Sequence, residues 1–390
     1  MTNFDEIIER WNTDSIKYDF AAHRGLPEDV LPLWVADMDF RTPPCVIEAL
    51  VDKSRHGIFG YSESREDYFE VLESWFRRRF GWQIQPEWLI KTPGMVFAIC
   101  MAIRALTSEG DAVLIQQPVY YPFASSVTGN GRKLEVNELV CENGRYHIDF
   151  EDFERKITQR SVKMFILCSP HNPVGRVWTR EELIRMGDIC LKHGVTVVAD
   201  EIHADFVYPG HTHAVFANLK PEFADITVTC TAPTKTFNLA GLQISNIFVF
   251  NQRMRRRIQQ EISCAGYSQV NVMGMVACKA AYAHGEEWLE ELKAYLKGNL
   301  DFVRGFFSER IPEIRLAEPE GTYLVWLDCR ALGLNDKALD ELVIQRAKLW
   351  LDGGHMFGQG GSGFQRINIA CPRQLLEQAM ERLAAAVASR

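Results

Sequence analysis

A repeated alternation of apolar, strand-like runs with helical patterns constrains the fold of this chain more than any other feature. Val and Ile enrich most of these runs, and several are nearly continuous in apolar residues, which is typical of strands covered on both faces. The five runs are DAVLIQQ (111–117), KMFILCS (163–169), VTVVADE (195–201), ITVTCTA (226–232) and ISNIFVF (244–250). The alternation predicts an α/β fold with a mostly parallel sheet, whose ligand site lies beyond the carboxyl ends of the strands.

One helix between two of these runs is well marked, and a second, longer helix is expected after the last run. Thr179 and Glu182 fit a capping box ahead of the segment ELIRMGDICLKH, and Gly194 stands where a C-terminal glycine cap belongs. Residues 286–308 are expected to form one long helix, which links the sheet domain to a C-terminal α+β region.

The length of 390 residues predicts two domains that share a cleft. We expect a large domain over 48–285 and a smaller α+β domain built from 1–47 and 286–390. Residues 351–363 hold six glycines, and the strand-like segment FQRINIA follows at once. Both a plain linker and an ordered loop that feeds a site are compatible with this stretch.

Composition excludes several classes of function. The formal net charge of −8 argues against a nucleic-acid-binding surface, which should be basic. The ten cysteines form no C-x-x-C pair, so we predict no metal site and expect free thiols in a reducing cytoplasm. The N-terminal segment MTNFDEIIERWN lacks the features of a signal peptide, and no stretch approaches 18 uninterrupted apolar residues. A cytoplasmic protein without a membrane span is therefore expected.

Residues that could hold a ligand follow four of the five predicted strands, all except 244–250, and also stand where the segment IKTPG opens a helix. Taken singly, such residues are ordinary, since a lysine in a turn is usually solvated and an acid after a strand often caps a helix. Together they supply an amine, a carboxylate, an amide, two aromatic rings and a helix N-terminus, in Lys235, Asp200, Asn172, Tyr120, Tyr121 and Gly94–Val96. Pyridoxal 5′-phosphate (PLP) needs this set, because it requires a lysine, a partner for its ring nitrogen and an anion site.

At these positions the chain resembles a known family. D-E-x-H at 200–203, A-P-T-K-T-F-N-L-A-G at 232–241 and H-N-P-V-G at 171–175 resemble the fold type I PLP enzymes of the aspartate aminotransferase superfamily. Other segments resemble its cystathionine β-lyase and maltose-regulon-modulator group of C–S lyases: W-V-A-D-M-D-F (34–40), F-G-Y-S (59–62), P-V-Y-Y-P-F (118–123), K-T-F-N-L-A-G (235–241) and Q-R-I-N-I-A (365–370). The resemblance implies a mostly parallel, seven-stranded sheet in the large domain.

The resemblance also implies roles around the cofactor ring. Lys235 would form the Schiff base with PLP and shuttle the substrate α-proton. Asp200 would pair with the pyridinium nitrogen, and Asn172 would contact the ring oxygen O3′. His203 occupies the place where many relatives carry a tyrosine that binds O3′. Tyr120 would stack on the ring.

The same resemblance places the cofactor phosphate at the opening of a helix. Gly94, Met95 and Val96 would hold it there through their backbone. Tyr61 would reach the phosphate bound by a second subunit, which implies a homodimer.

Two phosphate ligands that are common in the superfamily are missing from this chain. Aminotransferases often carry a serine three residues before the lysine, where this chain has Ala232, and an arginine eight residues after it, where this chain has Gln243. Thr231 and Thr234 are candidate hydroxyl donors in their place. The missing arginine fits the C–S lyase group better than the aminotransferases.

On the substrate side, the resemblance assigns the α-carboxylate to Arg366. In FQRINIA the Arg366 side chain lies on the strand face opposite the two isoleucines, so it can point into a cleft while they point into a core. A planar guanidinium suits a two-point contact with a carboxylate. Tyr121 would face the substrate, and the backbone around Val35 and Ala36 would line the other side.

These roles imply a PLP-dependent β-lyase that cleaves L-cystathionine or related cysteine S-conjugates to a thiol, pyruvate and ammonia. An aminotransferase acting on amino acids uses the same residues and is the first alternative. A regulatory, partner-binding protein is the second. Arg255, Arg256 and Arg257 are interpreted as a solvated helix face rather than a nucleic-acid contact, because no DNA-binding motif accompanies them.

Overall fold

The structure is a computed structural model that describes residues 2–390. In that range the strands are β1 (Leu31–Pro32), β2 (Leu89–Thr92), β3 (Ala112–Gln117), β4 (Lys133–Glu142), β5 (Arg145–Ile148), β6 (Val162–Cys168), β7 (Thr196–Asp200), β8 (Thr227–Thr231), β9 (Ser245–Phe248), β10 (Arg315–Ala317), β11 (Leu324–Asp328), β12 (Leu349–Trp350), β13 (Asp352–Gly353) and β14 (Phe364–Asn368).

The α-helices in the same range are α1 (Pro44–His56), α2 (Glu66–Phe80), α3 (Met95–Leu106), α4 (Pro122–Gly129), α5 (Phe150–Gln159), α6 (Arg180–Lys192), α7 (Pro221–Ile226), α8 (Pro233–Thr236), α9 (Gln252–Cys264), α10 (Val272–His284), α11 (Glu286–Arg310), α12 (Asp336–Glu341) and α13 (Arg373–Ala388). Within the described part of the chain, no helix is both long enough and apolar enough to cross a membrane.

A large mixed sheet forms the centre of the molecule. Across residues 2–390 its eight strands follow the order β2-β9-β8-β7-β6-β3-β4-β5, and all but β9 and β5 point the same way. The five strand-like runs of the sequence become β3, β6, β7, β8 and β9, so the predicted α/β fold is confirmed.

The sheet has one strand more than the seven that were predicted. The additional edge strand β5 forms a hairpin with β4, in which Glu142 pairs with Arg145 across the turn Asn143–Gly144. Both turn residues have positive φ, 51° and 79°, as a two-residue hairpin of this kind requires. The Asn-Gly pair is the signal that could have predicted this strand.

The central strands are covered on both faces, as their apolar sequences predicted. Along β6, Phe165 and Leu167 pack into one core, while Met164 and Ile166 pack into the core on the opposite face. Helix α6 covers the first face and α3 the second. Helix α6 begins with the predicted capping box, since Thr179 accepts from the Glu182 N–H and the Glu182 carboxylate accepts from the Thr179 N–H.

A second sheet lies C-terminal to the long helix α11. Its order is β10-β11-β14-β13, with antiparallel neighbours throughout. The central sheet falls within 48–285 and this sheet within 286–390, whereas the exact domain boundaries stay a prediction. The glycine-rich stretch 351–363 is an ordered loop: the backbones of Gly354 and Gly361 approach so closely that a Cβ on either would overlap the carbonyl oxygen of the other.

One sequence interpretation was wrong. Arg255 does not belong to a solvated face but is buried, and its guanidinium donates to the Val249 and Phe250 carbonyls at 2.7 and 2.9 Å. It caps the end of β9, where these carbonyls have no strand partner. Arg256 and Arg257 are exposed, as expected.

The close approach of α6 to the aromatic pair Phe216 and Phe223 can be tested. A Cβ on Gly187 would overlap the Phe223 ring, which is stacked on Phe216 with 5.2 Å between ring centroids. We expect Gly187→Ala to lower the free energy of unfolding by about 1–3 kcal/mol, because a well-packed core resists added volume. Urea denaturation followed by circular dichroism measures the change.

Gly305→Ala in α11 is the matched control, because a Cβ there meets no atom within 4 Å. This change should raise stability by up to about 1 kcal/mol through helix propensity. Equal effects of the two substitutions would contradict the packing explanation.

Candidate active site

A cavity of about 250 Å³ opens beyond the carboxyl ends of the parallel strands. It contains every site residue predicted above except Tyr61 and Thr231. Its lining residues are Trp34, Val35, Ala36, Pro93, Gly94, Met95, Val96, Tyr120, Tyr121, Cys168, Asn172, Asp200, Ile202, His203, Thr234, Lys235, Ala240, Ser245, Asp352 and Arg366. The structure therefore brings most of the predicted residues together at the edge of the sheet that the strand-end argument indicated, whereas their roles stay a prediction.

Lys235 lies in the short helix α8, directly after β8. Its Nζ donates a hydrogen bond to the Ala36 carbonyl at 2.7 Å. Burial lowers the pKa of the Lys235 amine to about 8, against the opposing effects of the Asp37 and Asp200 carboxylates. A large fraction of this amine is consequently neutral, and thus nucleophilic, near pH 8.

Asp200 ends β7 and is 4% exposed. Within residues 2–390 its carboxylate accepts one hydrogen bond, from the Ile202 N–H at 3.2 Å. Burial raises the pKa of Asp200 to about 7. A buried carboxylate with so little compensation fits a cationic partner such as a protonated pyridine nitrogen, which would return its pKa towards the usual range.

His203 and Tyr120, the residues expected to contact a cofactor ring, both line the cavity. His203 is buried, its Nδ1 has no partner among the described residues, and burial lowers its pKa to about 3, so the imidazole is neutral. The Tyr120 backbone N–H donates to the Asn172 carbonyl at 3.0 Å, which ties the ends of two neighbouring strands together. Burial raises the pKa of Tyr120 to about 12.

Arg366 lies on β14 and is 3% exposed. Its Nη1 donates to Asn172 Oδ1 and its Nη2 to the Trp34 carbonyl, each at 2.9 Å, and Nη2 also forms an ion pair with Asp352. Its Nε is buried and has no partner in the described part of the chain. Three of the five guanidinium N–H groups are thus used within the described chain, and the remaining two, on Nη1 and Nε, are left for an incoming carboxylate.

Sequence reasoning missed Asp352. This residue is 2% exposed, and it pairs with Arg366 in the register of β13 and β14. Burial raises its pKa, whereas the charge of Arg366 opposes the rise. The only sequence signal was an acid inside the apolar run ahead of the glycine-rich loop, and its partner was visible only once the two strands were paired.

The segment containing Val35 and Ala36 is irregular backbone that side chains hold in place. Asn368 donates to the carbonyls of Val35 and Asp37 at 2.7 and 2.6 Å. Tyr323 donates to the Ala36 carbonyl at 3.1 Å. These bonds satisfy carbonyls that no strand partner reaches, and they explain why this segment can form one wall of the cavity.

The expected phosphate end of the cavity lies at the N-terminus of α3. Gly94 precedes the helix, and Met95 and Val96 line the cavity as its first residues. Thr234 also lines the cavity. Thr231 does not, because its hydroxyl donates to the Asn246 carbonyl at 2.8 Å.

Tyr61 lies apart from the cavity and is 100% exposed. It belongs to an extended segment in which Ile58 and Phe59 are also exposed, at 68% and 59%. A single chain therefore does not bring Tyr61 to its own site.

The polar groups of the cavity fit PLP. The lone Asp200 carboxylate suits a cationic ring nitrogen, the Lys235 amine suits an aldehyde, and the Arg366 Nε–H suits the carboxylate of an amino acid. The helix N-terminus at Met95 suits a phosphate.

Comparisons with known proteins agree with this geometry. The family described as "Aminotransferase class I and II" matches residues 28–383. Cystathionine beta-lyase PatB of Bacillus subtilis (strain 168) is 43% identical over 385 residues, covering 99% of this chain and 100% of that protein.

Two solved structures extend the similarity to the fold. A PLP-bound putative aminotransferase from Clostridium difficile 630 has 44% identity and a TM-score of 0.97, covering 99% of this chain and 100% of that one. Cystalysin from Treponema denticola, which contains PLP, has 38% identity and a TM-score of 0.97, covering 100% and 99%. The resemblance inferred from the sequence is confirmed, and the chain belongs to the class I and II aminotransferase family.

Proposed function

We propose that this chain is a PLP-dependent carbon–sulfur β-lyase, which cleaves L-cystathionine or a related cysteine S-conjugate to a thiol, pyruvate and ammonia. The observation that carries the proposal is the convergence of the Lys235 amine, the Asp200 carboxylate and the Arg366 guanidinium on one cavity. The names of PatB as a cystathionine beta-lyase and of other relatives support the choice of reaction. PLP, when bound, supplies the electron sink that makes the substrate α-proton removable.

Three residues of the chain bind the substrate, move its proton and keep the cofactor ring protonated. Arg366 holds the substrate α-carboxylate through its free Nε–H, with its orientation fixed by Asn172 and Asp352. Lys235, released from the Ala36 carbonyl, takes the proton from the substrate Cα, because its neutral amine is the base at that end of the cavity. Asp200 keeps a proton on the ring nitrogen by remaining ionised beside it.

We further infer a cytoplasmic homodimer in which Tyr61 of each chain completes the site of the other. Full exposure of Tyr61, next to exposed Ile58 and Phe59, supports an interface at this segment. The ten cysteines are all free in the described structure, which supports a reducing compartment.

An assay without added keto acid tests the reaction. With PLP and L-cystathionine, we expect pyruvate and thiol to appear in equal amounts, measured by coupled NADH oxidation and by a thiol reagent. An aminotransferase, the alternative that the name of the Clostridium difficile structure keeps open, would need a keto acid and would release no thiol. Strict dependence on a keto acid would therefore contradict the lyase proposal.

The low pKa of Lys235 predicts how the cofactor-free protein captures PLP. Only the neutral amine attacks the aldehyde, so the rate of capture should rise with pH through about 8 and then level off. The growth of visible absorbance in stopped flow measures this rate.

Replacing Lys235 tests its assignment as the residue that binds the cofactor. Lys235→Ala should show no visible band and about 100-fold to 10,000-fold less lyase activity. Lys220→Ala is the control, since Lys220 pairs with Asp188 at the surface away from the cavity. A Lys235→Ala protein that keeps the visible band would contradict the assignment of Lys235 as the Schiff-base lysine.

Mixing two inactive variants tests the shared site. Tyr61→Ala and Lys235→Ala chains, mixed under conditions of subunit exchange, should form hybrids with one intact site, and activity should return in part. A mixture of Tyr61→Ala with Asp200→Ala should also recover part of the activity, because the Asp200→Ala chain, like the Lys235→Ala chain, keeps its Tyr61. Absence of recovery in hybrids that mass spectrometry detects would overturn the role of Tyr61 across the interface.

A further inference from the structure

The hydroxyl of Ser245 is a buried donor that no other residue in the described range 2–390 accepts from. Ser245 begins β9, is 1% exposed, and is one of the residues that line the cavity. Its Oγ has no hydrogen-bond partner among residues 2–390. A buried hydroxyl without a partner is unfavourable, so a group that enters the cavity and accepts from it is to be expected.

The position of Ser245 places this hydroxyl beside the start of α3. Ser245 pairs with Thr92 in the register of β2 and β9, and Pro93 and Gly94 then lead directly from Thr92 into the helix. The N–H groups of the first helical turn have no acceptor within the helix and form a site for an anion. Ser245 adds a side-chain donor to the same corner of the cavity.

Among residues 2–390, the lining of the cavity offers no free cationic side chain at this corner. Gln243 is exposed and does not line the cavity, and Ala232 carries no polar side-chain atom. The cationic lining residues, Lys235 and Arg366, are held at the Ala36 carbonyl and at Asp352. An anion bound at the helix N-terminus therefore depends on neutral donors from this chain.

We propose that the Ser245 hydroxyl donates a hydrogen bond to the phosphate of the cofactor and is part of its binding site. Together with the N–H groups of Met95 and Val96, it forms a phosphate subsite of neutral donors, in which hydroxyl and backbone groups take the place of a fixed positive charge. The inference depends on PLP binding alone and is independent of whether the reaction is lyase or transferase chemistry.

Comparison of PLP with pyridoxal, which lacks the phosphate, isolates the proposed contact. The cofactor-free full-length chain is titrated with each compound, and visible absorbance gives the dissociation constant. Ser245→Ala should weaken PLP binding about 10-fold to 100-fold, the range for a hydrogen bond to a charged group. Pyridoxal binding should stay unchanged, because the aldehyde and ring contacts are intact.

Thr229→Val provides the matched control. Thr229 is also 1% exposed with an unpartnered hydroxyl, and it lies on the adjacent strand β8, but it does not line the cavity. This variant should bind PLP and pyridoxal as the wild type does.

Two results would overturn the proposal: an equal loss of affinity for PLP and pyridoxal in Ser245→Ala, which indicates a packing role, or no loss for either compound. Should Ser245→Ala fail to fold, Ser245→Cys keeps the shape of the side chain but donates only weakly. The same selective loss for PLP is then expected, and its absence would equally contradict the phosphate contact. Since these readouts are affinities, they do not depend on the catalysed reaction.

Discussion

The buried guanidinium of Arg366 joins the three parts of the chain that enclose the cavity. It donates to Asn172 beyond the central sheet, to the carbonyl of Trp34 in the N-terminal segment, and to Asp352 on the second sheet. A guanidinium is well suited to this position because its donors diverge in one plane and its charge cannot be lost. The geometry of the site thus depends on one charged group whose own burial requires the partners it binds.

A second cluster of buried charge supports the N-terminal wall. Lys17 is fully buried and pairs with Asp39 at 2.9 Å, while Arg10 pairs with Asp37 and Asp39. Such pairs add little net stability, because desolvation offsets most of their attraction, yet removing one partner leaves an expensive lone charge. Here their effect is geometric: they hold residues 37–39 in an irregular path, so that the carbonyl of Ala36 meets Lys235.

The sequence was most informative where structure is local. Apolar runs predicted β7 and β8, and the ends of these strands directed attention to Asp200 and Lys235, because strand order along the chain and the edge that binds ligands follow general rules. It was least informative where two distant strands set a contact. Asp352 and Ser245 gained their neighbours from the registers of β13 with β14 and of β2 with β9, which no periodicity encodes. Arg255 was misjudged for a different reason: its acceptors are nearby in sequence, but they are backbone carbonyls at the end of β9, and composition does not show which carbonyls lack a strand partner.

The contacts that define the site also join opposite ends of the polypeptide. The hydrogen bond from Lys235 to Ala36 spans 199 residues, and that from Arg366 to Trp34 spans 332. On a ribosome, the lysine therefore emerges well before β14 can secure the segment it rests against. The wall that Lys235 contacts is thus completed by the part of the chain that is synthesised last, and a cofactor that binds the assembled site favours the finished state over partly folded ones by mass action.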